Sequence, residues 1–276
     1  MTTATTASIA ELNLFPVKSC RGISLDSGEV RTTGFDGDRH WLIVSDKGRY
    51  LSQRELPRMA LISPTLTAGG LALNAPGMPA LEVAGDSPGT LIDVAVILDY
   101  CTALDCGDVA ADWLTQYFGR PVRLARFDPD TRRAIHPSFW KGGIDSGIEF
   151  SDAFPFLILS EASLADLNTR LSTPLPMNRF RPNIVLRGLR PYDEDRIHSL
   201  IVGDVMLQMV RPCTRCIIPT TNQATGEAQG PEPLATLKTY RWSKELRGAM
   251  FGQYAVVAAG AGGRLALDQQ VVLVWK

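Results

Sequence analysis

The stretch "SLIVGDVMLQMVRPCTRC", residues 199–216, decides how this chain is read. Two apolar arms flank Gly203-Asp204, a dipeptide that turns one strand back on the next. The second arm runs directly into Cys213 and Cys216. A strand ending in a cysteine loop sets reactive side chains at the rim of a rigid sheet, where chemistry tends to sit.

Working outward, the second half reads as more strands with two helices. "FPFLIL" (154–159) and "NIVL" (183–186) are strands, and "QYAVVAAGAGGRLALDQQVVLVW" (253–275) supplies two closing ones. Ser160 is a fitting N-cap for a helix over "EASLADLNTRL", with Leu164, Leu167 and Leu171 at helical spacing. "EPLATLKTYR" (232–241) is a short helix.

The first third reads as short strands punctuated by glycine and proline. "AELNLFPV" alternates through Leu12 and Leu14, and "HWLIVSDKGRYLS" (40–52) folds about Asp46-Lys47-Gly48. "LTAGGLALNAPG" (66–77) repeats the pattern, and "GTLIDVAVIL" (89–98) reads as one strand. "GDVAADWLTQYFGR" (107–120) switches to helical period, with Val109, Trp113, Leu114 and Tyr117 on one face and Gly119 as the C′ residue. Residues 127–152 show no period and mark the junction of two lobes. The expectation is a β-rich α+β fold with lobes at 8–126 and 127–276 and barrel or sandwich packing.

Composition narrows the function. Of 276 residues, 45% are hydrophobic and 21% charged; 28 basic against 29 acidic residues leave a net charge of −1. Non-specific nucleic-acid binders carry a basic excess, so no nucleic-acid partner is expected. A local basic pocket for one anionic ligand remains compatible. "MTTATTASIAEL" has neither the cations nor the apolar core of a signal or transit peptide. No apolar run approaches the roughly 20 residues of a membrane span. Five cysteines with no dense framework suit reduced thiols, and a cytoplasmic protein is expected.

The cysteine loop admits several readings. Structural zinc takes four Cys or His ligands, and Cys101 and Cys106 supply a second pair, but "CTALDCGD" lacks a knuckle glycine. A thioredoxin-like pair opens a helix, whereas Ile217, Ile218 and Pro219 follow here. A plant-type iron–sulfur run is absent. That leaves Cys216 beside Arg215 as a single thiolate, or as an inert buried cysteine.

A resemblance takes the reading further. "NLFPVKSCRGI", "GFDGDRHWLIV", "FLILSEASLADLN", "RFRPNIVL", "PCTRC", "TGE", "PLATLKTYR" and "FGQY" occur in the order found in MOSC-domain proteins that carry the N-terminal MOSC β-barrel region. The chain resembles the amidoxime-reducing members of that family over residues 8–275. The resemblance implies two MOSC lobes with a cofactor cleft between them and a molybdenum–molybdopterin cofactor. By family pattern, Cys216 is the metal ligand and Cys213 is not a ligand; soft thiolate suits a metal already held by dithiolene sulfur. The positions matching cofactor contacts are Lys18, Ser19, Arg39, Asp152, Arg181, Asn183, Thr214, Arg215 and Tyr254. Arginine forks and a lysine point charge suit the cofactor's phosphate. Ala153 departs from an expected serine, which removes one hydrogen bond there.

The activity implied is reduction of N-hydroxylated compounds: amidoximes, N-hydroxylated bases and hydroxylamines. The alternative is a cofactor carrier or sulfur-transfer protein of the same family. His136, Asp145 and Glu149 of the junction are candidate general acids. Because the chain ends at Lys276 directly after its last strand, a separate electron donor is expected: a ferredoxin, flavodoxin or cytochrome b5-like protein with its reductase. No membrane partner is expected.

Overall fold

The computed structural model describes residues 7–86 and 89–276. The reading of the first residues as free of a targeting signal falls largely on residues 1–6, outside the described ones.

Alternating apolar residues in the second half, joined by the first strand of the chain, close into a barrel. Its seven strands follow in the order Phe156–Ser160, Ile184–Arg187, Ala7–Leu14, Gln270–Trp275, Ile197–Val202, Val205–Thr214 and Gly248–Ala259, and the last pairs back onto the first. Only Phe156–Ser160 and Ile184–Arg187 run parallel; the other neighbours are antiparallel. Ile9, Leu12, Phe156, Ile184, Leu200, Leu207 and Ala255 point into one core. Closure leaves no open sheet edge, the usual liability of an all-β unit. Ala7–Leu14 comes from the first segment of the chain yet serves as a stave of this barrel, so the two lobes share strands.

The rest of the first segment forms a curled half-barrel. Four strands order as Trp41–Ser45, Val122–Phe127, Asp99–Asp105 and Leu91–Val96, and a meander of Ser63–Thr67, Gly70–Asn74 and Leu81–Ala84 lies beside them. Helix α1 (Asp108–Phe118) packs Ala110, Trp113, Leu114 and Tyr117 against Leu71, Leu73 and Leu124. That stripe runs i, i+3, i+4, i+7 from Ala110, so Val109 falls outside it and is 75% exposed, contrary to its expected place on the buried face. Gly119 ends the helix at φ +68, its N–H donating to the Thr115 carbonyl.

A second difference concerns residues 89–98. The expected single strand stops at Val96, turns at Ile97-Leu98 and returns as Asp99–Asp105. Two-residue hairpins take Gly or Asn at such turns. Neither is present, so the sequence carries no turn signal there.

Helix α2 (Glu161–Thr169) begins as expected: Ser160 Oγ accepts from the Ser163 N–H at 3.1 Å. Helix α3 spans Leu234–Tyr240. Between Phe127 and Phe156 the chain has no helix or strand, only a bridge from Ala134 to Gly147. Buried Arg133 staples this junction, donating to the carbonyls of Glu149 at 2.8 Å and Ser151 at 2.9 Å. Among the described residues no helix is long and apolar enough to cross a membrane.

Candidate functional site

The end of Val205–Thr214 faces the loop after Ala7–Leu14, and the two lobes enclose a cleft of about 140 Å³. All nine expected cofactor-binding positions and Cys216 line it: Lys18, Ser19, Arg39, Asp152, Arg181, Asn183, Thr214, Arg215 and Tyr254 are brought together from both halves of the chain. Its lining holds five cations, Lys18, Arg39, Arg54, Arg181 and Arg215, and one carboxylate, Asp152.

The barrel contributes its wall from paired strands. Thr214 is the last residue of Val205–Thr214 and pairs with Met250. The Arg215 N–H continues the ladder to the Ala249 carbonyl at 2.8 Å. Its guanidinium turns inward, donating to the Phe180 carbonyl at 2.7 Å and to Cys213 Sγ at 3.1 Å, while Nε is buried with no partner among the described residues. Tyr254 stacks on Phe154 at 5.0 Å, and burial holds its hydroxyl well above the ordinary tyrosine value.

The first lobe contributes from loops. Ser19 and Arg39 sit at φ +67 and +53, and Arg181, across the cleft, at +57. Non-glycine residues in this region cost on the order of 1–3 kcal/mol each and gather where function holds them. The Arg39 and Arg181 guanidinium groups lie 4.5 and 4.2 Å from the Phe15 ring centroid, so one ring spaces two cations. Arg39 pairs with fully buried Asp38 and donates to Asn183 Oδ1 at 3.0 Å. Asn183 also accepts from the Leu157 N–H and donates to Asn13 O and Asp38. With those contacts its amide is fully engaged by protein, and it positions Arg39 and Asp38.

Electrostatics are strained toward an anion. Burial, then Arg39, pushes Arg181 down to about 9. Burial likewise pulls Lys18 below its ordinary value, against the opposing pull of Asp152. Lys18 Nζ pairs with Asp152 and donates to the Phe150 carbonyl at 2.7 Å. Burial raises the Asp152 carboxyl, but Lys18, Arg54 and Arg39 outweigh it and hold it below the usual carboxylate range. Asp152 and the buried Asp38 paired with Arg39 offset two of the five cations, three remain uncompensated, and a bound anion would restore the balance.

The two cysteines part company. Cys213 is 2% exposed, packs with Leu157, Phe180 and Phe251, and burial pushes its thiol up. Cys216 lies past the strand end, partly exposed on the cleft wall. Cys101 and Cys106 pack in the first lobe, where burial drives Cys106 up to about 12. Among the described residues no three His, Cys, Asp or Glu side chains are grouped to hold a metal, so the four-cysteine arrangement is not assembled.

Two residues of the cleft escaped the sequence reading. Arg54 reaches Asp152 at 3.3 Å and interacts with Cys216; it lies in "SQREL", where nothing marks it. Ser151 Oγ is buried without a partner among the described residues, two positions before Ala153, which indeed lacks a hydroxyl. The junction acids go elsewhere: Glu149 bonds His40 at 2.7 Å, His136 bonds Ser138, and Asp145 pairs with Arg132. None of the three lines the cleft.

Comparison with known proteins agrees with this architecture. Residues 6–121 match the MOSC N-terminal beta barrel domain and residues 145–272 the MOSC domain. The chain is 38% identical over 263 residues to mitochondrial amidoxime-reducing component 1 of Homo sapiens, covering 90% of this chain and 78% of that protein. It is 37% identical over 241 residues to mitochondrial amidoxime reducing component 2 of Bos taurus, covering 84% and 72%. Component 1 of Danio rerio is 34% identical over 262 residues, covering 90% and 80%.

Proposed function

The chain belongs to the MOSC-domain family that includes the mitochondrial amidoxime-reducing components, and from that premise we propose that it is a molybdenum-cofactor-dependent reductase of N-hydroxylated compounds. The observation that carries this reading is the cleft itself: five cations, only two of them offset by the carboxylates of Asp152 and Asp38, beside the accessible thiol of Cys216. The donor set fits the cofactor. The buried Arg215 Nε and Ser151 Oγ supply unused hydrogen-bonding capacity, and the guanidinium groups suit a phosphate.

When bound, the cofactor supplies the two-electron chemistry that removes the N–O oxygen. Cys216 holds the metal through its thiolate. Arg39, Arg181, Lys18 and Arg215 fix the phosphate and pterin electrostatically, with Phe15 and Asn183 setting the first two. Tyr254 and Thr214 close the cleft on the barrel side. Asp152 keeps Lys18 and Arg54 aligned. Each turnover takes two electrons and two protons, converting the N–OH group to N–H and water. The electrons come from a donor protein of the ferredoxin, flavodoxin or cytochrome b5 type.

The test is reduction of an amidoxime by the cofactor-loaded protein with an artificial electron donor. Turnover with release of the amidine is expected. Persistent inactivity of metal-loaded protein contradicts the reading and favours a cofactor carrier.

A further inference from the structure

The 3-10 turn Asp193–Arg196 sets two neighbouring carboxyl groups against the barrel, and their surroundings differ. Asp195 is the ionised one: it pairs with Arg241 at 2.5 Å and accepts from Gln253 Nε2 at 2.6 Å. Glu194 is 1% exposed. Burial pushes its carboxyl up, the Ser163 and Ser160 hydroxyl groups pull it down, and the leading charge that acts on it is the like-signed Asp195.

Counting protons around Glu194 leaves a gap. Ser160 Oγ donates to Glu194 Oε2 at 2.9 Å, and Ser163 Oγ, which accepts from the Tyr192 N–H, donates to Ser160 Oγ at 2.8 Å. Both hydroxyl protons are then used, and Glu194 Oε1 is buried with no donor among the described residues. Gln253 Oε1 is buried in the same condition. The Gln253 amide cannot turn over, because its oxygen would then face the Asp195 carboxylate. Gln253 lies opposite Ile158 on the neighbouring strand, two residues before Ser160 and on the same face. Such diagonal positions are about 7–8 Å apart, a gap that a glutamate and a glutamine reaching toward each other can close. Two buried acceptors side by side are unsatisfied, and one proton between them satisfies both.

We propose that Glu194 is a neutral carboxylic acid in the folded protein, its Oε1–H donating to Gln253 Oε1, and that this proton locks a pH-sensitive brace behind the barrel wall of the cleft. Gln253 precedes Tyr254, which lines the cleft. Arg241, held by Asp195, donates from Nε to the Met250 carbonyl at 3.3 Å, and Met250 pairs with Thr214. The other charged groups nearby are engaged: Asp193 with Arg196, Glu161 with Arg187, and Lys276 with the Asp195 carbonyl. Glutamate in the unfolded chain loses its proton near pH ~4.3, whereas folded Glu194 keeps it. Stability therefore falls as pH rises from there toward the folded value. The inference is independent of the cofactor.

The test is Glu194→Gln, followed by thermal unfolding from about pH 4 to about pH 8 beside the wild type. The glutamine amide accepts from Ser160 and donates to Gln253 as the neutral acid does, and it does not titrate. The variant is expected to match the wild-type Tm near pH 4 and to exceed it by a few degrees near pH 8. A variant less stable than the wild type at every pH, or a Tm difference that does not change with pH, overturns the proposal. A second measurement needs no variant: in wild-type protein labelled with carbon-13 at the glutamate carboxyl, one signal should remain that of a neutral acid at neutral pH. Ionisation of every glutamate there overturns the proposal as well.

Discussion

The two walls of the cleft are built differently. On the barrel side, Thr214, Arg215 and Tyr254 continue paired strands, and ladder hydrogen bonds fix their backbone. On the first-lobe side, Lys18, Ser19, Arg39 and Arg54 stand on loops held by buried side chains and two left-handed residues. A strand wall keeps its shape because the sheet does. A loop wall keeps its shape only while each buried polar partner is present, so single changes there should have larger effects.

The largest expected effect is at Asp38. Its carboxylate pairs with Arg39 and accepts from the Phe15 N–H at 2.8 Å and from Asn183. Asp38→Ala strands Arg39 and should cost about 3–5 kcal/mol in urea unfolding, as breaking a buried pair does. A loss under 1 kcal/mol would erase the contrast between the walls.

Next comes pH. Lys18, Arg54 and Arg39 outweigh burial and hold the Asp152 carboxyl below the usual carboxylate range. The stabilisation this gives is present above the ordinary carboxylate value and is lost as pH falls toward the folded value, because the unfolded chain takes up the proton first. Unfolding followed from about pH 6 down to about pH 3 should show this loss in the wild type and a flatter profile in Asp152→Asn. Identical profiles would rule out Asp152 as the titrating group.

On the barrel side, Ser160→Ala removes the cap of α2 and the donor to buried Glu194. The expected loss is about 1–2 kcal/mol by thermal or chemical unfolding, with anion affinity unchanged. Smallest is Gly119→Ala, remote from the cleft. Nothing lies within 4 Å of the added Cβ, so only the left-handed backbone resists, about 1 kcal/mol.

Legibility in the sequence follows the same division. The barrel strands, the Ser160 cap and the Gly119 stop were readable because period and capping chemistry act locally. The returning strand at 99–105 was not, because Ile97-Leu98 violates the chemistry of its own turn. A lone Arg or Lys in a sequence reads as a solvated surface charge, and only the ordered motifs of the family join Lys18 to Arg181. Arg54 and Ser151 carry no local signal; their role exists only in the folded cleft. His136, Asp145 and Glu149 are candidates because a junction loop can overhang a site, but each bonds elsewhere, to Ser138, Arg132 and His40.

The account turns on one sulfur. Molybdenum and pterin content should be measured in the wild type, Cys216→Ser and Cys213→Ser, purified from a host able to make the cofactor. The account predicts that the wild type and Cys213→Ser carry both and that Cys216→Ser loses the metal. Zinc in place of molybdenum, or equal losses in the two variants, would contradict it.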